Sequence, residues 1–183
     1  MHLRSFALTQ DGRNLEGLAY RYDHPSLVTD NGRDKYLEAF ERTSATKTLK
    51  ERSTRPLFRN HRRHEDPIGT AGFEPSAEGL MFRARLSKTV AADEALELVN
   101  DGALTDASIG FLAVASRRRA MTAGLVVVRT EIAIRELSLA PTGFGQHAGA
   151  GVLAVRSDDT DPTPALDRSR RRYALLLDPK VMI

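Results

Sequence analysis

Three residues of this 183-residue chain, His61, Ser108 and Glu136, are of the types that together carry out nucleophilic catalysis. Each lies in or beside a strand that the sequence predicts. A serine hydroxyl can attack a carbonyl carbon when an imidazole accepts its proton. A carboxylate can fix the tautomer of that imidazole and stabilise its charged form. The order His, Ser, Glu along the chain is acceptable, because such triads are defined by geometry and not by sequence order.

Ser108 and Glu136 also have ordinary structural explanations. Ser108 opens a predicted strand in the segment Leu104–Phe111, where a serine is most often a turn or capping residue. The segment is not the nucleophile elbow G-x-S-x-G, since Asp106 occupies the place of the first glycine. Glu136 could be an edge-strand carboxylate that pairs with an arginine. His64 is an alternative to His61 as the base.

The sequence around Glu136 predicts where its side chain lies. In a regular strand, Glu136 would point to the same face as Ile132 and Ile134. A carboxylate on an apolar face costs several kcal/mol unless it is paired or hydrogen-bonded. We therefore expect Glu136 to contact a donor such as the ring N–H of a histidine.

A different chemistry could come from the segment His61-Arg62-Arg63-His64-Glu65, where two imidazoles lie three residues apart. On a helix, that spacing could hold a metal ion for a hydrolase that uses His61, His64 and Glu65. The segment matches neither H-E-x-x-H nor H-x-x-E-H, and Pro67 argues against a helix here. No obvious third ligand accompanies the two histidines. We therefore expect neither a metal site nor a cofactor.

The elements that must position these residues are mostly short strands. The sequence predicts strands over 3–8, 14–22, 55–61, 67–73, 79–86, 108–116, 124–132 and 133–140. It predicts helices over 35–51 and 89–100, and an arginine-rich loop between the strands 108–116 and 124–132. Many short strands with a few helices favour a mainly β (α+β) fold, in which helices pack on a closed or nearly closed barrel.

The composition excludes several classes of site. The chain has no cysteine, which rules out disulfides, thiolate metal sites and cysteine nucleophiles. It has no Trp and few other aromatic residues, which disfavours a base-stacking surface, and its net charge is only +3. Basic runs such as Arg117-Arg118-Arg119 are more typical of solvated loops, so nucleic-acid binding is not expected. No run reaches the length of a membrane-spanning helix and no signal-peptide pattern is present, so a cytoplasmic, soluble protein is expected.

The pattern of the chain changes near Val155. Residues 1–155 carry the predicted strands and helices and are expected to form one domain. Residues 156–183 begin with a Ser/Asp/Thr/Pro-rich stretch and end in a basic and then apolar segment. That composition is typical of a linker and a C-terminal tail that is flexible or removed by processing.

Several segments, in this order and spacing, resemble a known family. The chain resembles the prohead (capsid-maturation) serine proteases of tailed bacteriophages over about residues 14–153. The motifs that carry the resemblance are Glu38-Ala39-Phe40-Glu41-Arg42-Thr43, Leu57-Phe58-Arg59-Asn60-His61, Pro67-Ile68-Gly69, Gly79-Leu80, Gly102-Ala103-Leu104, Ala107-Ser108-Ile109-Gly110-Phe111, and Glu136-Leu137-Ser138-Leu139 followed by Pro141. Pro141-Thr142-Gly143 departs from the usual Pro-Ala-Asn, and the loop after His61 is unusually basic and holds a second histidine.

The resemblance implies a fold and a function. The fold would be an antiparallel β-barrel similar to that of the herpesvirus assemblin proteases, surrounded by a few helices. The activity would be that of a serine endopeptidase with Ser108 as nucleophile, His61 as base and Glu136 as third member. Its substrates would be the scaffold and the N-terminal segment of the major capsid protein, inside an assembling procapsid in the bacterial host, and could include the chain itself. By analogy, a homodimer and a contribution of the Arg117 loop to the oxyanion hole are also expected.

A non-enzymatic function is the main alternative. A capsid assembly or scaffolding protein could keep the barrel and bind capsid subunits or DNA through its basic loops and tail. Substitution of Ser108 would leave such a function intact.

Overall fold

The computed structural model describes residues 12–29, 34–145, 147 and 149–156. Within this part of the chain there are nine strands and two helices. The elements, in chain order, are β1 (Asn14–Arg21), β2 (Ser26–Thr29), β3 (Lys35–Phe40), α1 (Thr46–Glu51), β4 (Thr54–Arg59), β5 (Gly69–Pro75), β6 (Gly79–Leu86), α2 (Val90–Asn100), β7 (Asp106–Met121), β8 (Gly124–Ala140) and β9 (Gly151–Arg156).

Seven of the strands close into a barrel in the order β8-β4-β5-β6-β1-β9-β7, and β7 pairs back with β8. The long strand β8 has one edge that is shared by two partners. Its residues 126–129 pair with β3, and its residues 137–139 pair with β4. Both of these pairings are parallel, whereas the others are antiparallel. The prediction of a mainly β barrel with a few helices is confirmed, and the two parallel strand pairings lie along one edge of β8.

Apolar side chains from most strands fill the main core. Alternation along the strands places these residues on the inner face of the barrel, which is the arrangement that small closed barrels use. α2 adds Ala92, Ala95 and Val99 to the same cluster. The largest fully buried members of the core are Leu15, Tyr20, Phe40, Leu57, Leu80, Phe82, Leu86, Ile132, Ile134, Leu137 and Leu139.

α2 agrees closely with the sequence prediction of a helix over 89–100. Thr89 is its N-cap, and the Thr89 side chain accepts a hydrogen bond from the backbone N–H of Ala92. Such a bond satisfies one of the N–H groups that a helix start leaves without a partner. The chain leaves the helix through Gly102, whose φ of 77° lies in the left-handed region that glycine adopts readily.

The prediction of one helix over 35–51 is wrong. Residues 35–40 form β3, which pairs with β2 on one side and β8 on the other, and only residues 46–51 are helical. The apolar spacing around Phe40 fits a helix locally, but pairing with β8 buries Glu38, Ala39 and Phe40. Tertiary pairing thus overrides a weak local pattern.

The arginine-rich loop predicted after residue 116 is also absent from the described structure. Arg117, Arg118 and Arg119 lie within β7, opposite residues 126–128 of β8. The strands predicted over 124–132 and 133–140 are one continuous strand. A long antiparallel hairpin explains both differences, because residues beyond the barrel still satisfy their backbone groups by cross-strand pairing.

Other predictions have mixed outcomes. The strand over 79–86 is confirmed as β6, and β9 was not predicted. The strand predicted over 3–8 lies outside the described residues, as does the predicted tail from residue 157 onwards. None of the helices in the described ranges is long and apolar enough to span a bilayer.

Candidate active site

His61 lies in a tight turn directly after β4. The ladder with β8 ends where the Asn60 N–H donates to the carbonyl of Leu139 at 2.9 Å. Asn60 and His61 then both adopt left-handed backbone conformations, with φ values of 53° and 56°. Two consecutive non-glycine residues in this region are uncommon, and Asn and His tolerate it better than most residues. The turn lifts the imidazole out of the strand and over the face of β8.

The imidazole of His61 contacts the carboxylate of Glu136. His61 Nδ1 lies 2.6 Å from Glu136 Oε1, the length of a strong charge-assisted hydrogen bond. Glu136 is only 1% exposed, whereas the His61 side chain is 39% exposed. A carboxylate accepts hydrogen bonds, so Nδ1 donates, and in the neutral imidazole Nε2 then carries the lone pair. The pair can therefore take up a proton at Nε2 and stabilise the resulting charge.

Ser138 completes the surroundings of this carboxylate. Its hydroxyl donates to Glu136 Oε2 at 2.8 Å and accepts from the backbone N–H of His61 at 3.1 Å. Arg63 is more distant, with its Nε 3.9 Å from Glu136 Oε1 and its side chain largely exposed. Both carboxylate oxygens of Glu136 therefore have a donor, as a buried carboxylate requires.

The face on which Glu136 lies differs from the sequence prediction. In the β7–β8 ladder Gly110 is opposite Glu136 and Phe111 is opposite Ile134, so Arg135 is an extra residue on β8. Such a β-bulge reverses the alternation of side chains beyond it. Ile132 and Ile134 belong to the barrel core, and beyond the bulge Leu137 and Leu139 take over that role. Glu136 therefore does not share the inner face with Ile132 and Ile134.

Ser108 lies on the strand next to this pair. Ser108 is opposite Ser138 in the ladder. This pair lies two residues along each strand from the Gly110–Glu136 pair, so both pairs are on the same face of the sheet. Its side chain is partly exposed. Within the described part of the chain, no hydrogen bond joins the Ser108 hydroxyl to His61. Contacts between nucleophile and base are often long in the absence of substrate and shorten in the complex.

The structure thus brings His61 and Glu136 into direct contact and places Ser108 beside them through strand register. His64, the alternative base, lies three residues further along the loop and is 81% exposed. Its Nε2 lies 3.9 Å from Glu65 Oε1, so His64 faces Glu65 and not Glu136. Among the described residues, no three His, Cys, Asp or Glu side chains converge as metal ligands would.

Arg117 does not fit the oxyanion role that analogy suggested. It lies nine residues beyond Ser108 on the same strand, about 30 Å away at the usual rise per residue. Its guanidinium pairs with Glu41, and Arg119 pairs with Asp23 at 2.8 Å. Two of the three arginines in the run 117–119 are therefore engaged in ion pairs with acidic side chains.

Two further residues of the site were not identified as such from the sequence. Ser138 lies two residues after Glu136, which puts both side chains on one face of a strand. That spacing is a usable signal once the strand is known. Gly110 leaves room for the carboxylate, since a Cβ at this position would lie 2.0 Å from Glu136 Oε1. Its role depends on cross-strand register, which the sequence does not reveal.

Comparison with known proteins adds a family and a structural neighbour. The family model described as caudovirus prohead serine protease matches residues 2–160. Among solved structures, the chain is similar to the protease of KSHV, crystallised with a hexapeptide phosphonate inhibitor. The TM-score is 0.48 and the sequence identity 11%, over 89% of this chain and 74% of the KSHV chain. No curated protein matches the sequence significantly.

Proposed function

The chain belongs to the caudovirus prohead serine protease family, and we propose that it is the endopeptidase that matures the procapsid of a tailed bacteriophage. Its proposed substrates are the scaffold and the N-terminal segment of the major capsid protein, and they include the chain itself. It would act inside the assembling procapsid in the bacterial host. The observation that carries the proposal is the 2.6 Å hydrogen bond between His61 and the buried Glu136, held beside the strand that bears Ser108.

We assign Ser108 as the nucleophile, His61 as the base and Glu136 as the third member. The contact of His61 Nδ1 with Glu136 leaves Nε2 to accept the proton of the Ser108 hydroxyl as Oγ attacks the scissile carbonyl. The imidazolium that forms then protonates the leaving amine. Water enters, gives a proton to His61, and its oxygen releases the acyl group from Ser108 by the reverse steps. Backbone N–H groups would stabilise the oxyanion.

Two features of the environment support these roles. Glu136 is buried with a donor on each oxygen, so it can stabilise an imidazolium in a medium of low dielectric constant. His61 is partly exposed and Ser108 is also partly exposed, so a peptide can reach both.

The family resemblance also predicts a homodimer, which sedimentation of the purified chain tests.

The deciding experiment is co-expression of the chain with the capsid and scaffold proteins of the same genome, in wild-type form and as Ser108→Ala. Intact mass spectrometry of the assembled particles follows the sizes of all three proteins. We expect processing by the wild-type chain and none by Ser108→Ala.

The other outcomes separate the alternatives. Unchanged processing by Ser108→Ala would remove Ser108 as the nucleophile. Formation of procapsids with no processing by either chain would favour a non-catalytic assembly protein. Processing that a chelator abolishes, while Ser108→Ala has no effect, would favour a metal-dependent hydrolase that uses His61, His64 and Glu65.

A further inference from the structure

Ser138 is the one described residue whose side chain bonds to both members of the His61–Glu136 pair. Its hydroxyl is fully buried. The proton goes to Glu136 Oε2, and a lone pair accepts the backbone N–H of His61. A serine hydroxyl offers one proton and two lone pairs, so the single proton is committed to the carboxylate.

The three contacts close a ring. It runs from the His61 backbone N–H to the Ser138 hydroxyl, from there to the Glu136 carboxylate, and from the carboxylate back to the His61 imidazole. Because the ring includes both the backbone and the imidazole of His61, it restrains the left-handed turn and the side-chain torsions together. A single hydrogen bond to Glu136 would restrain only the imidazole. Hydrogen-bonded networks of this kind are more restrictive than separate pairs.

The position of Ser138 in the sheet explains how one hydroxyl reaches both groups. It lies two residues beyond Glu136 on the same face of β8, and opposite Ser108 of β7. β4 ends beside it, since Phe58 is opposite Ser138 and the chain turns at Asn60. After the last backbone ladder bond, from Asn60 to Leu139, the next N–H along the chain is that of His61. The Ser138 side chain takes the place of a backbone carbonyl for that N–H.

We propose that Ser138 is a positioning residue, which keeps Nε2 of His61 available to Ser108 by holding the His61 turn and the Glu136 carboxylate together. This inference rests on the proposed function for its effect on catalysis. Its structural half, the restraint of the His61–Glu136 pair, is independent of any activity. The two halves are therefore tested by separate measurements.

The first measurement is made on the Ser108→Ala chain, because it detects the His61–Glu136 hydrogen bond directly and does not require peptidase activity. The Nδ1 proton of a histidine in a short hydrogen bond to a carboxylate gives a far-downfield proton NMR resonance, which His61→Gln identifies by its disappearance. We expect Ser108→Ala/Ser138→Ala to lose or broaden this resonance, and Ser108→Ala/Ser138→Thr, which keeps a hydroxyl, to retain it. Retention of a sharp, unshifted resonance in the Ser138→Ala chain would overturn the inference.

The second measurement is kinetic and uses a peptide that spans a cleavage site mapped by co-expression. We expect Ser138→Ala to lower kcat about 10- to 100-fold, with little change in KM, because the lost contacts act on a charged pair and not on substrate binding. Ser138→Thr should recover most of that loss.

Ser44→Ala is the matched control. Ser44 is also fully buried, and its hydroxyl lies 3.1 Å from that of Tyr20 in the core. Its removal should lower the melting temperature about as much as Ser138→Ala does and leave kcat unchanged. Equal kcat values for Ser138→Ala and Ser44→Ala would overturn the catalytic half. If Ser108→Ala/Ser138→Ala loses the resonance but the wild-type chain cleaves nothing, the restraint by Ser138 is upheld and the proposed peptidase function is not.

Discussion

The Cα of Gly110 on β7 lies directly against the carboxylate of Glu136 on β8. The two residues are opposite each other in the ladder, and a Cβ on Gly110 would come within 2.0 Å of Glu136 Oε1 and 2.8 Å of Glu136 Cδ. A glycine in the middle of a strand gives up packing and conformational entropy. Here it provides the space in which the carboxylate meets His61, so that both oxygens are satisfied in a buried position.

Gly110→Ala should therefore abolish most activity. The added methyl group has to displace the carboxylate that holds His61, because the backbone of both strands is fixed by pairing. We expect the rate of processing to fall about 100-fold, as for a misplacement of about 1 Å at a catalytic group. The measurement is the cleavage of capsid protein in co-expression, with the melting temperature of the purified chain recorded beside it.

Gly72→Ala on β5 is the control for a glycine in a strand. A Cβ at Gly72 would meet nothing closer than the Ser53 carbonyl oxygen at 3.7 Å. That chain should process capsid protein at the wild-type rate. Wild-type activity in Gly110→Ala would show that the position of the Glu136 carboxylate is not needed for catalysis.

Glu136→Gln should reduce activity strongly while the fold is kept. The amide has nearly the same shape, but its NH₂ must face either His61 Nδ1 or the Ser138 hydroxyl, and both of those groups donate to Glu136. The imidazole then favours the tautomer with the proton on Nε2, which cannot accept a proton from Ser108. We expect kcat to fall at least about 1000-fold near neutral pH.

The control for Glu136→Gln is Glu74→Gln. The Glu74 side chain is 64% exposed and lies 3.8 Å from Arg83, so its neutralisation should change neither kcat nor stability noticeably. A Glu136→Gln chain with a kcat within a few-fold of wild type would contradict the role of Glu136.

His61→Ala and His64→Ala distinguish the two candidate bases. His61 contacts buried Glu136, whereas His64 is 81% exposed beside Glu65. We expect His61→Ala to stop processing of the capsid protein and His64→Ala to leave the rate within about twofold, as is usual for an exposed residue without a role. The reverse result would move the base to His64.

Acid should destabilise the protein through His147. The His147 imidazole is 10% exposed, packs against the Phe40 ring and has its Nε2 3.4 Å from Glu38 Oε2. Its burial, and secondly the cation of Arg129, lower the pKa of His147 to about 4. Glu38 is itself bonded to Arg129 at 2.6 Å, and Arg129 also donates to the Tyr36 hydroxyl.

Because the pKa of His147 is lowered in the folded state, stability falls as the pH falls. In the unfolded chain a histidine has a pKa of about 6.5, so between pH 6.5 and 4 the unfolded state binds a proton that the folded state does not. Above about pH 6.5, His147 makes its full contribution to the free energy of unfolding. This contribution decreases as the pH falls, by at most about 3 kcal/mol. Urea unfolding at a series of pH values measures this pH dependence of the free energy of unfolding. His147→Phe, which keeps a ring against Phe40, should flatten the dependence in this window, and His64→Gln should not. An unchanged slope in His147→Phe would contradict the prediction.

Local patterns in the sequence determined the elements whose environment is simple. β6 alternates between buried and exposed side chains, so its period of two is visible in the residues themselves. α2 carries its own start signal in Thr89 and its own end signal in Gly102. The residue types of a serine peptidase were also evident, because the chemistry of a hydroxyl, an imidazole and a carboxylate does not depend on the fold.

Tertiary structure alone decided how those residues meet. The extra residue Arg135 determines the face on which Glu136 lies, and a bulge arises from the match between two strands and not from either sequence alone. The same holds for β3, whose strand conformation depends on an edge of β8 about 90 residues later. The contacts of Gly110 and Ser138 at the site follow only from tertiary pairing, because a glycine or a serine in a strand is ordinary until its neighbours on other strands are known. Periodicity describes one element at a time, whereas the contacts of His61 with β8 join residues that are about 75 positions apart.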